Sequence, residues 1–313
     1  MRIFITGASG YVGGVVTEKA IKAGHEVVGL ARSESSAARV LKLGGTPFLA
    51  TLEDTDALAD AAREADAVLH LGFVHEFDRP FQELVAIDSQ AISAMGKALA
   101  GTNKALITTS GTGVAAPDNG KETAEEAPLR EGHLSVRGRA EAATTSLADE
   151  GVRGMVIRLA PFVYGRGGSH VPVQLQVAAK YGYAPYVGDG TTMTSTTDVD
   201  AAADLYLLAL EKGRAGSVFN CTTEYDVHFK SLAEAVASAL GVTAKSVMPE
   251  QAAEMASPFI AMLMQIESRA SSAKARKELG WNPQPKYKLC DDIVLGSYKP
   301  MAEQLKRELK AVR

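Results

Sequence analysis

The sequence is poor in the features that mark secreted and membrane-spanning proteins. Its 313 residues include two cysteines, Cys221 and Cys290, which are too few for a disulfide framework and are typical of a reducing compartment. It has no apolar run of about 18 residues, so no membrane-spanning helix is expected. The amino-terminal stretch MRIFITGASG has too short an apolar part for a signal peptide. We therefore expect a cytoplasmic protein.

A strong excess of charge of one sign is also absent. The formal net charge is −4, with 22% charged and 46% hydrophobic residues. This balance gives no electrostatic reason to expect nucleic acid or an acidic membrane as a partner. The sequence also has no His-Glu-x-x-His or Cys-x-x-Cys motif, so no metal centre is expected.

What the sequence does have is a regular alternation of strand and helix patterns. The expected strands, each followed by a helical pattern until the last, are Arg2–Thr6, Glu26–Arg32, 46–50, Ala67–Phe73, Ala105–Gly111 and 154–165. Such alternation predicts an α/β fold with a doubly wound parallel sheet, the Rossmann architecture. Ligands of these sheets bind at the carboxyl ends of the strands.

A glycine-rich loop follows the first expected strand. The stretch TGASGYVGG places Gly7, Gly10 and Gly13 between that strand and a helix. The first glycine allows a tight turn, the second lets the backbone approach a pyrophosphate, and the third allows close packing of helix on strand. The helix amino terminus then faces the phosphates with its positive end. A dinucleotide cofactor is the expected ligand.

The loop resembles that of the short-chain dehydrogenase/reductase superfamily, in its extended or atypical, epimerase/dehydratase-like branch. Further segments that resemble this branch, in chain order, are ATLEDTDALADAA, AVLHLGF, RLAPFVYGRGG, TDVDAAADLYLLALE and SSAKARKELGWNP. The resemblance runs over nearly the whole chain. It implies the Rossmann fold and nucleotide binding, while it leaves the reaction open.

The resemblance also implies which positions contact the cofactor. In this branch the third-strand segment flanks the adenine, the fourth lines the cofactor, and the sixth passes the nicotinamide end. Besides the glycines, the implied contacts are Ser9, Tyr11, Val12, Thr51, Leu52, Leu71, Gly72, Phe73, Thr108, Pro161 and Val163. An Asp is usual where Thr51 stands.

The end of the second strand predicts the form of the cofactor. An NAD enzyme carries Asp or Glu there for the ribose 2′-OH, whereas an arginine accommodates a 2′-phosphate. Here Arg32 supplies a planar cation and Ser33 a hydroxyl. We expect NADP(H), although Glu34 can instead reach the ribose.

The chain is expected to divide into two domains. Residues 1–165 form the NADP-binding Rossmann domain, and 191–224 return to it. Residues 166–190 and 225–313 form a smaller, mainly helical substrate-binding cap. The segments GRGGSH and VGDGTTMTSTTDVD are expected to be loops.

The catalytic segment departs from the resembled superfamily. Its members use a Ser or Thr after the fifth strand, a Tyr that exchanges the proton, and a Lys four residues later that lowers the tyrosine pKa and holds the ribose. Here Ser110 and Thr112 supply the hydroxyls. The stretch HLSVRGR, residues 133–139, has neither Tyr nor Lys.

Two registers, that is, two ways of aligning this stretch with the tyrosine and lysine positions, are open. The preferred one puts Arg139 at the lysine and Ser135 at the tyrosine, because the following AEAA matches the residues after the usual lysine. The second pairs His133 with Arg137. An arginine holds the ribose but does not exchange a proton near neutral pH, whereas a histidine does.

Other proton donors remain open outside this segment. Tyr164 ends the sixth strand, although in the resembled superfamily this tyrosine is structural. The further candidates for the catalytic or substrate pocket are His75, Glu76, His170, Tyr181, Tyr183 and Tyr186.

Three functions fit this pattern. The first is an NADP(H)-dependent reductase acting on a carbonyl, C=C or C=N group of a small organic substrate, because the cofactor carries the hydride chemistry. The second is a non-redox epimerase, dehydratase or isomerase on the same fold, and the third is a non-catalytic NADP(H)-binding sensor. The resemblance also implies a possible homodimer through the two helices 81–101 and 138–151.

Overall fold

The computed structural model describes residues 1–74, 79–118, 120–132 and 135–312. The strands are β1 Arg2–Thr6, β2 Glu26–Ala31, β3 Thr46–Leu49, β4 Ala67–His70, β5 Ala105–Gly111, β6 Arg153–Leu159, β7 Phe162–Tyr164, β8 Tyr183–Val187, β9 Met193–Asp198, β10 Val218–Cys221, β11 Glu224–His228 and β12 Thr243–Val247. The helices are α1 Tyr11–Lys22, α2 Glu34–Lys42, α3 Thr55–Glu64, α4 Phe81–Leu99, α5 Ser135–Ser146, α6 Val171–Tyr181, α7 Val199–Lys212, α8 Phe229–Leu240, α9 Pro249–Met255, α10 Pro258–Leu263, α11 Ala273–Leu279, α12 Leu289–Leu295 and α13 Lys299–Val312. None of the described helices is both long and apolar enough to cross a membrane.

Seven strands form one parallel sheet in the order β10-β6-β5-β4-β1-β2-β3. The order reverses between β1 and β4, because the chain runs outward through β2 and β3 and then returns to the other side of β1. A crevice opens at such a reversal, at the carboxyl ends of the strands. This confirms the predicted doubly wound α/β fold.

Helices cover both faces of this sheet, as the apolar side chains of β1 illustrate. Ile3 and Ile5 point to one face, where α1 and α7 pack on them. Phe4 points to the other face and packs with α3 and α4. All three are fully buried. A strand apolar on both faces is what a sheet between two helical layers requires.

The chain leaves the main sheet at Pro161. The expected long strand 154–165 is therefore two strands in different sheets: β6 ends at Leu159, and β7 pairs with β9 in the order β11-β9-β7. Proline has no N–H to donate, so it does not continue a central strand.

The carboxyl-terminal half contains more strands than the sequence patterns predicted. The segment 191–198 was expected to be loop, but β9 lies there, and β8 pairs with β12 in a second small sheet. The side chains of Thr194, Ser195, Thr196 and Thr197 in β9 are all fully buried. A strand whose polar side chains are buried on both faces shows no alternation of apolar and polar residues, which explains the wrong prediction. Around the two small sheets, α6, α8, α9, α10, α12 and α13 build a separate apolar core.

A buried ion pair joins α5 to β6 of the main sheet. Arg158 on β6 and Glu141 on α5 are 4% and 5% exposed, and Nη2 of the arginine lies 2.6 Å from Oε2 of the glutamate. Arg158 Nε also donates to Glu141 Oε1 at 3.0 Å, and Nη1 donates to the carbonyl of Glu125 at 3.0 Å. Burial raises the pKa of the Glu125 carboxyl, whose Oε1 accepts a hydrogen bond from the Asn220 N–H. Loss of either ionic partner would leave an unpaired buried charge.

We therefore predict that Glu141→Ala destabilises the protein by about 3–5 kcal/mol, because Arg158 would stay buried without its carboxylate. Urea unfolding followed by circular dichroism measures this change. Arg139→Ala, at an exposed position of the same helix, is the matched control and should change the free energy of unfolding by less than about 0.5 kcal/mol. Equal effects of the two substitutions would contradict the prediction.

Candidate functional site

The glycine loop lies where backbone segments approach too closely for side chains. Gly7 has φ +72°, and a Cβ at this position would lie 2.8 Å from the backbone nitrogen of Gly72. A Cβ at Gly13 would overlap the carbonyl oxygen of Gly7. The Gly10 N–H donates to the same carbonyl at 2.8 Å. The loop is therefore a tight turn that only glycine allows, and it directs the start of α1 toward the crevice.

The amino terminus of α1 is suited to an anion. Gly10 precedes the helix without a side-chain cap, and its first turn carries no acidic residue. Its first N–H groups and the helix dipole therefore favour a phosphate there.

The other residues of this loop that were expected to contact the cofactor are Ser9, Tyr11 and Val12, and their side chains have different surroundings. Ser9 and Val12 are partly buried in the loop. The Tyr11 hydroxyl donates to the carbonyl of Gly165 at 2.7 Å, and a Cβ at Gly168 would overlap the Tyr11 ring. The Tyr11 side chain therefore holds the loop after β7 against α1, an interaction that the sequence patterns did not predict.

A row of buried side chains linked by hydrogen bonds, formed by Thr6, His70 and Asp88, lies beside the glycine loop. Thr6 Oγ1 accepts from the Gly72 N–H at 2.9 Å and lies 2.8 Å from His70 Nδ1. His70 Nε2 lies 3.0 Å from Asp88 Oδ1. The consistent assignment has Thr6 donating to Nδ1 and Nε2–H donating to the carboxylate. The row fixes Gly72 against Gly7. Sequence reasoning missed these three residues, although a histidine in the apolar strand AVLHLGF was a signal for them.

The residues that were expected to contact the adenine half of the cofactor follow the carboxyl ends of β2 and β3. Arg32 and Glu34 follow β2 and are both exposed. The Ser33 hydroxyl caps α2 by accepting from the Ser36 N–H at 3.3 Å. Thr51 bonds Asp54 Oδ2 through its N–H and its hydroxyl at 2.7 and 2.8 Å, and Leu52 is half-buried beside it.

Three hydroxyl groups near the end of β5 differ in their hydrogen-bond partners. The Thr108 hydroxyl lies 3.0 Å from that of Thr144 on α5, so it is engaged inside the fold rather than at the crevice. The Thr112 hydroxyl lies 2.8 Å from that of Ser268. Ser110 is 7% exposed, and its buried Oγ has no hydrogen-bond partner among the described residues. A buried hydroxyl without a partner is costly, so Ser110 is the candidate among these three hydroxyls for a hydrogen bond to a ligand.

Arg137, rather than Arg139, is the arginine held at this end of β5. Its Nη2 donates to the Thr109 carbonyl at 2.9 Å, and its guanidinium carbon lies 4.3 Å from the centre of the Phe73 ring. Arg139 is exposed. The flanking residues favoured the register that uses Arg139, whereas this contact of Arg137 favours the second register, in which Arg137 takes the lysine position. Residues two apart on a helix point about 200° apart, so only one of the two arginines faces the sheet.

Four further catalytic candidates lie where little or nothing is described. His133, His75 and Glu76 are outside the described residues. Ser135 begins α5, but its side chain is outside the described part of the chain.

Tyr164 is a structural residue. Its hydroxyl donates to the carbonyl of Tyr287 at 2.9 Å, and the side chain is 1% exposed in the carboxyl-terminal core. Burial raises the pKa of its phenol. Tyr164, which the sequence left open as a proton donor, is therefore bonded within the carboxyl-terminal region, in line with the structural role that the resemblance implied. Pro161 is partly buried and Val163 is buried at the same end of the crevice.

The aromatic candidates for the substrate pocket lie in different surroundings and do not form one cluster among the described residues. His170 lies between Phe162 and Phe259, with ring centres 6.2 and 5.9 Å away. Tyr186 lines an apolar cavity in the carboxyl-terminal core. Tyr181 is exposed, and Tyr183 contacts Met255. In the part of the chain that is described, no group of three or more His, Cys, Asp or Glu is arranged to hold a metal ion.

Comparisons with known proteins show to which family the chain is similar. The model of the NAD dependent epimerase/dehydratase family matches residues 3–222. An uncharacterized protein of Schizosaccharomyces pombe is 38% identical over 284 residues, which cover 90% of this chain and 95% of that protein.

Two more distant similarities involve proteins with named activities. The 4-hydroxy-2-methyl-3-oxo-4-farnesyl-3,4-dihydroquinoline-1-oxide ketoreductase of Stigmatella aurantiaca is 27% identical over 267 residues, 82% of this chain and 78% of that protein. The structure of a dTDP-glucose 4,6-dehydratase double mutant from Streptomyces venezuelae, with NAD bound, superposes with a TM-score of 0.78 at 18% identity and covers 100% of both chains. At that identity the likeness concerns the fold alone.

We predict that Arg137→Ala weakens NADPH binding about 10-fold, because the site loses a cation held at the end of β5. Arg139→Ala should leave the dissociation constant within about twofold. Fluorescence titration of NADPH measures both, and Arg137→Lys should recover part of the loss. A larger effect at Arg139 than at Arg137 would restore the first register.

Proposed function

This chain belongs to the NAD dependent epimerase/dehydratase family, and we propose that it is an NADP(H)-dependent reductase of a carbonyl, C=C or C=N group in a small organic molecule. The observation that carries the proposal is the Ser110 hydroxyl, which is buried, has no partner among the described residues, and stands next to the Thr109 carbonyl that holds Arg137. Such a hydroxyl is placed to donate to a substrate heteroatom where charge develops.

The residues present fit a nicotinamide dinucleotide. Gly7 and Gly13 allow a tight turn in which any Cβ would clash with the backbone, and the uncapped start of α1 offers N–H groups to a pyrophosphate. Arg32 follows directly after β2, where an NAD enzyme carries a carboxylate, so it favours the 2′-phosphate of NADP(H).

The chemistry divides between cofactor and protein. When bound, the reduced nicotinamide supplies a hydride to the substrate carbon. Ser110 donates a hydrogen bond to the substrate oxygen or nitrogen, and Arg137 adds positive charge and holds the ribose. The proton comes from His133, four positions before Arg137 in sequence, because an imidazole exchanges protons near neutral pH and an arginine does not.

A second candidate is a protein that binds NADP(H) without turnover. The observation that favours it is the absence of a tyrosine–lysine pair in residues 133–139. The two candidates separate on consumption of the cofactor.

We predict that the protein oxidises NADPH with at least one member of a panel of aldehydes, ketones, enones and imines, followed at the absorbance of the reduced nicotinamide. Ser110→Ala should lower kcat about 100-fold while the NADPH dissociation constant stays within about twofold. Ser146→Ala, at an exposed position on α5, is the control and should match the wild type. Tight NADPH binding without consumption across the panel would favour the sensor.

We also predict that Arg32→Ala raises the NADPH dissociation constant about 10- to 100-fold and leaves that of NADH unchanged, because only NADPH has the 2′-phosphate. Isothermal titration calorimetry with both cofactors measures the two constants. Arg39→Ala, at an exposed position of α2, provides the matched loss of charge. An unchanged NADPH constant in Arg32→Ala would refute the assignment to NADP(H).

A further inference from the structure

An apolar cavity lies inside the carboxyl-terminal region. Its walls come from α6, β8, α8, α9 and α10, and it leaves about 20 Å³ in which a water-sized group can be centred. One such group needs roughly 10–15 Å³, so the cavity takes the end of a slim chain rather than a ring. Representative wall residues are Val177, Tyr186, Phe229, Val236, Ala252 and Met264.

The lining of the cavity excludes charged ligands. None of its lining side chains is acidic or basic. A phosphate or carboxylate placed there would lose its hydration without gaining a cation, which is strongly unfavourable. An alkyl group, in contrast, is bound more favourably with each CH₂ group that it buries.

One amide side chain belongs to this mainly apolar lining. Gln174 on α6 is 8% exposed, and its buried Oε1 has no hydrogen-bond partner among the described residues. An unpaired buried acceptor is costly to the protein alone, and a ligand that brings an O–H or N–H removes that cost. The same atom gives nothing to a ligand that only accepts.

Two wall residues of the cavity are linked to the end of the main sheet through packing and chain neighbours. Phe229 of its wall packs on Phe162, with ring centres 5.7 Å apart, and Phe162 directly follows Pro161 at the end of the main sheet. On another side, Met264 lines the cavity four residues before Ser268, whose hydroxyl bonds Thr112 beyond β5.

We propose that this cavity binds the end of a small, uncharged, mainly apolar molecule that carries one hydrogen-bond donor, with Gln174 Oε1 as the acceptor. That this molecule is the substrate rests on the proposed reductase function; its binding does not. Nucleotide sugars, with their charged diphosphate, do not match this lining.

The test uses two isomers and one anion as probes. Pentan-1-ol and 1-methoxybutane have the same atoms, but only the alcohol donates a hydrogen bond, and pentanoate carries a charge. Each is titrated into the full-length protein, with and without NADPH, while the ¹³C-labelled methionine methyl signals are followed by NMR. Met264 lines the cavity, and Met248, which is 63% exposed, is the internal control.

We expect both neutral probes to shift the Met264 methyl signal and to leave that of Met248 unmoved. Pentan-1-ol should bind about fivefold more tightly than its isomer, as one hydrogen bond predicts, and pentanoate should not bind. Gln174→Leu should abolish the fivefold preference yet keep binding of 1-methoxybutane, which also reports that the variant is folded. Gln176→Leu, the same substitution at an exposed position of α6, should behave as the wild type.

An unmoved Met264 signal, equal binding of pentanoate, or a preference that persists in Gln174→Leu would each overturn the inference. Failure of the proposed reductase looks different, because the probes would bind with these preferences while no panel substrate consumes NADPH.

Discussion

The close approach of three backbone segments at the end of β1 is the constraint on which the rest of the structure depends. Gly7 contacts Gly72 after β4, and Gly13 in α1 contacts the carbonyl of Gly7, at distances that leave no room for a Cβ. Thr6 stabilises the contact between Gly7 and Gly72 through its hydrogen bonds to Gly72 and His70. Because these contacts direct the start of α1 toward the reversal in strand order, they also place the cofactor crevice.

The second half of the site depends on how the carboxyl-terminal region is tied to the sheet. Ser195 in β9 donates to the carbonyl of Ser268 at 2.7 Å, and the Ser268 hydroxyl in turn bonds Thr112. Thr112 is thereby engaged, and Ser110 remains the buried hydroxyl at the end of β5 without a partner among the described residues. The same region contains the apolar cavity, so the cavity and the glycine loop belong to different apolar cores.

Much of the cofactor side was predictable because its signals are local. A β-branched strand, a glycine turn and a helix in succession require only neighbouring residues, and the structure places them as expected. The catalytic side was less predictable. Matching the residues after Arg139 selected one register, yet α5 begins at Ser135 and its phase turns Arg137 toward Thr109. Likewise, β9 carries buried threonines whose partners are remote in sequence, so its hydropathy showed no strand pattern.

The sequence by itself determined the sheet, its order of elements and the glycine turn, because backbone propensity and steric room at glycine act over a few residues. It also determined that no tyrosine and lysine stand in residues 133–139. Only the tertiary structure decided which arginine is held at Thr109, which carbonyl the Tyr164 hydroxyl bonds, and that Ser110 and Gln174 keep buried oxygens without partners among the described residues. Whether a polar atom is satisfied depends on every segment that packs around it, and those segments come from distant parts of the chain.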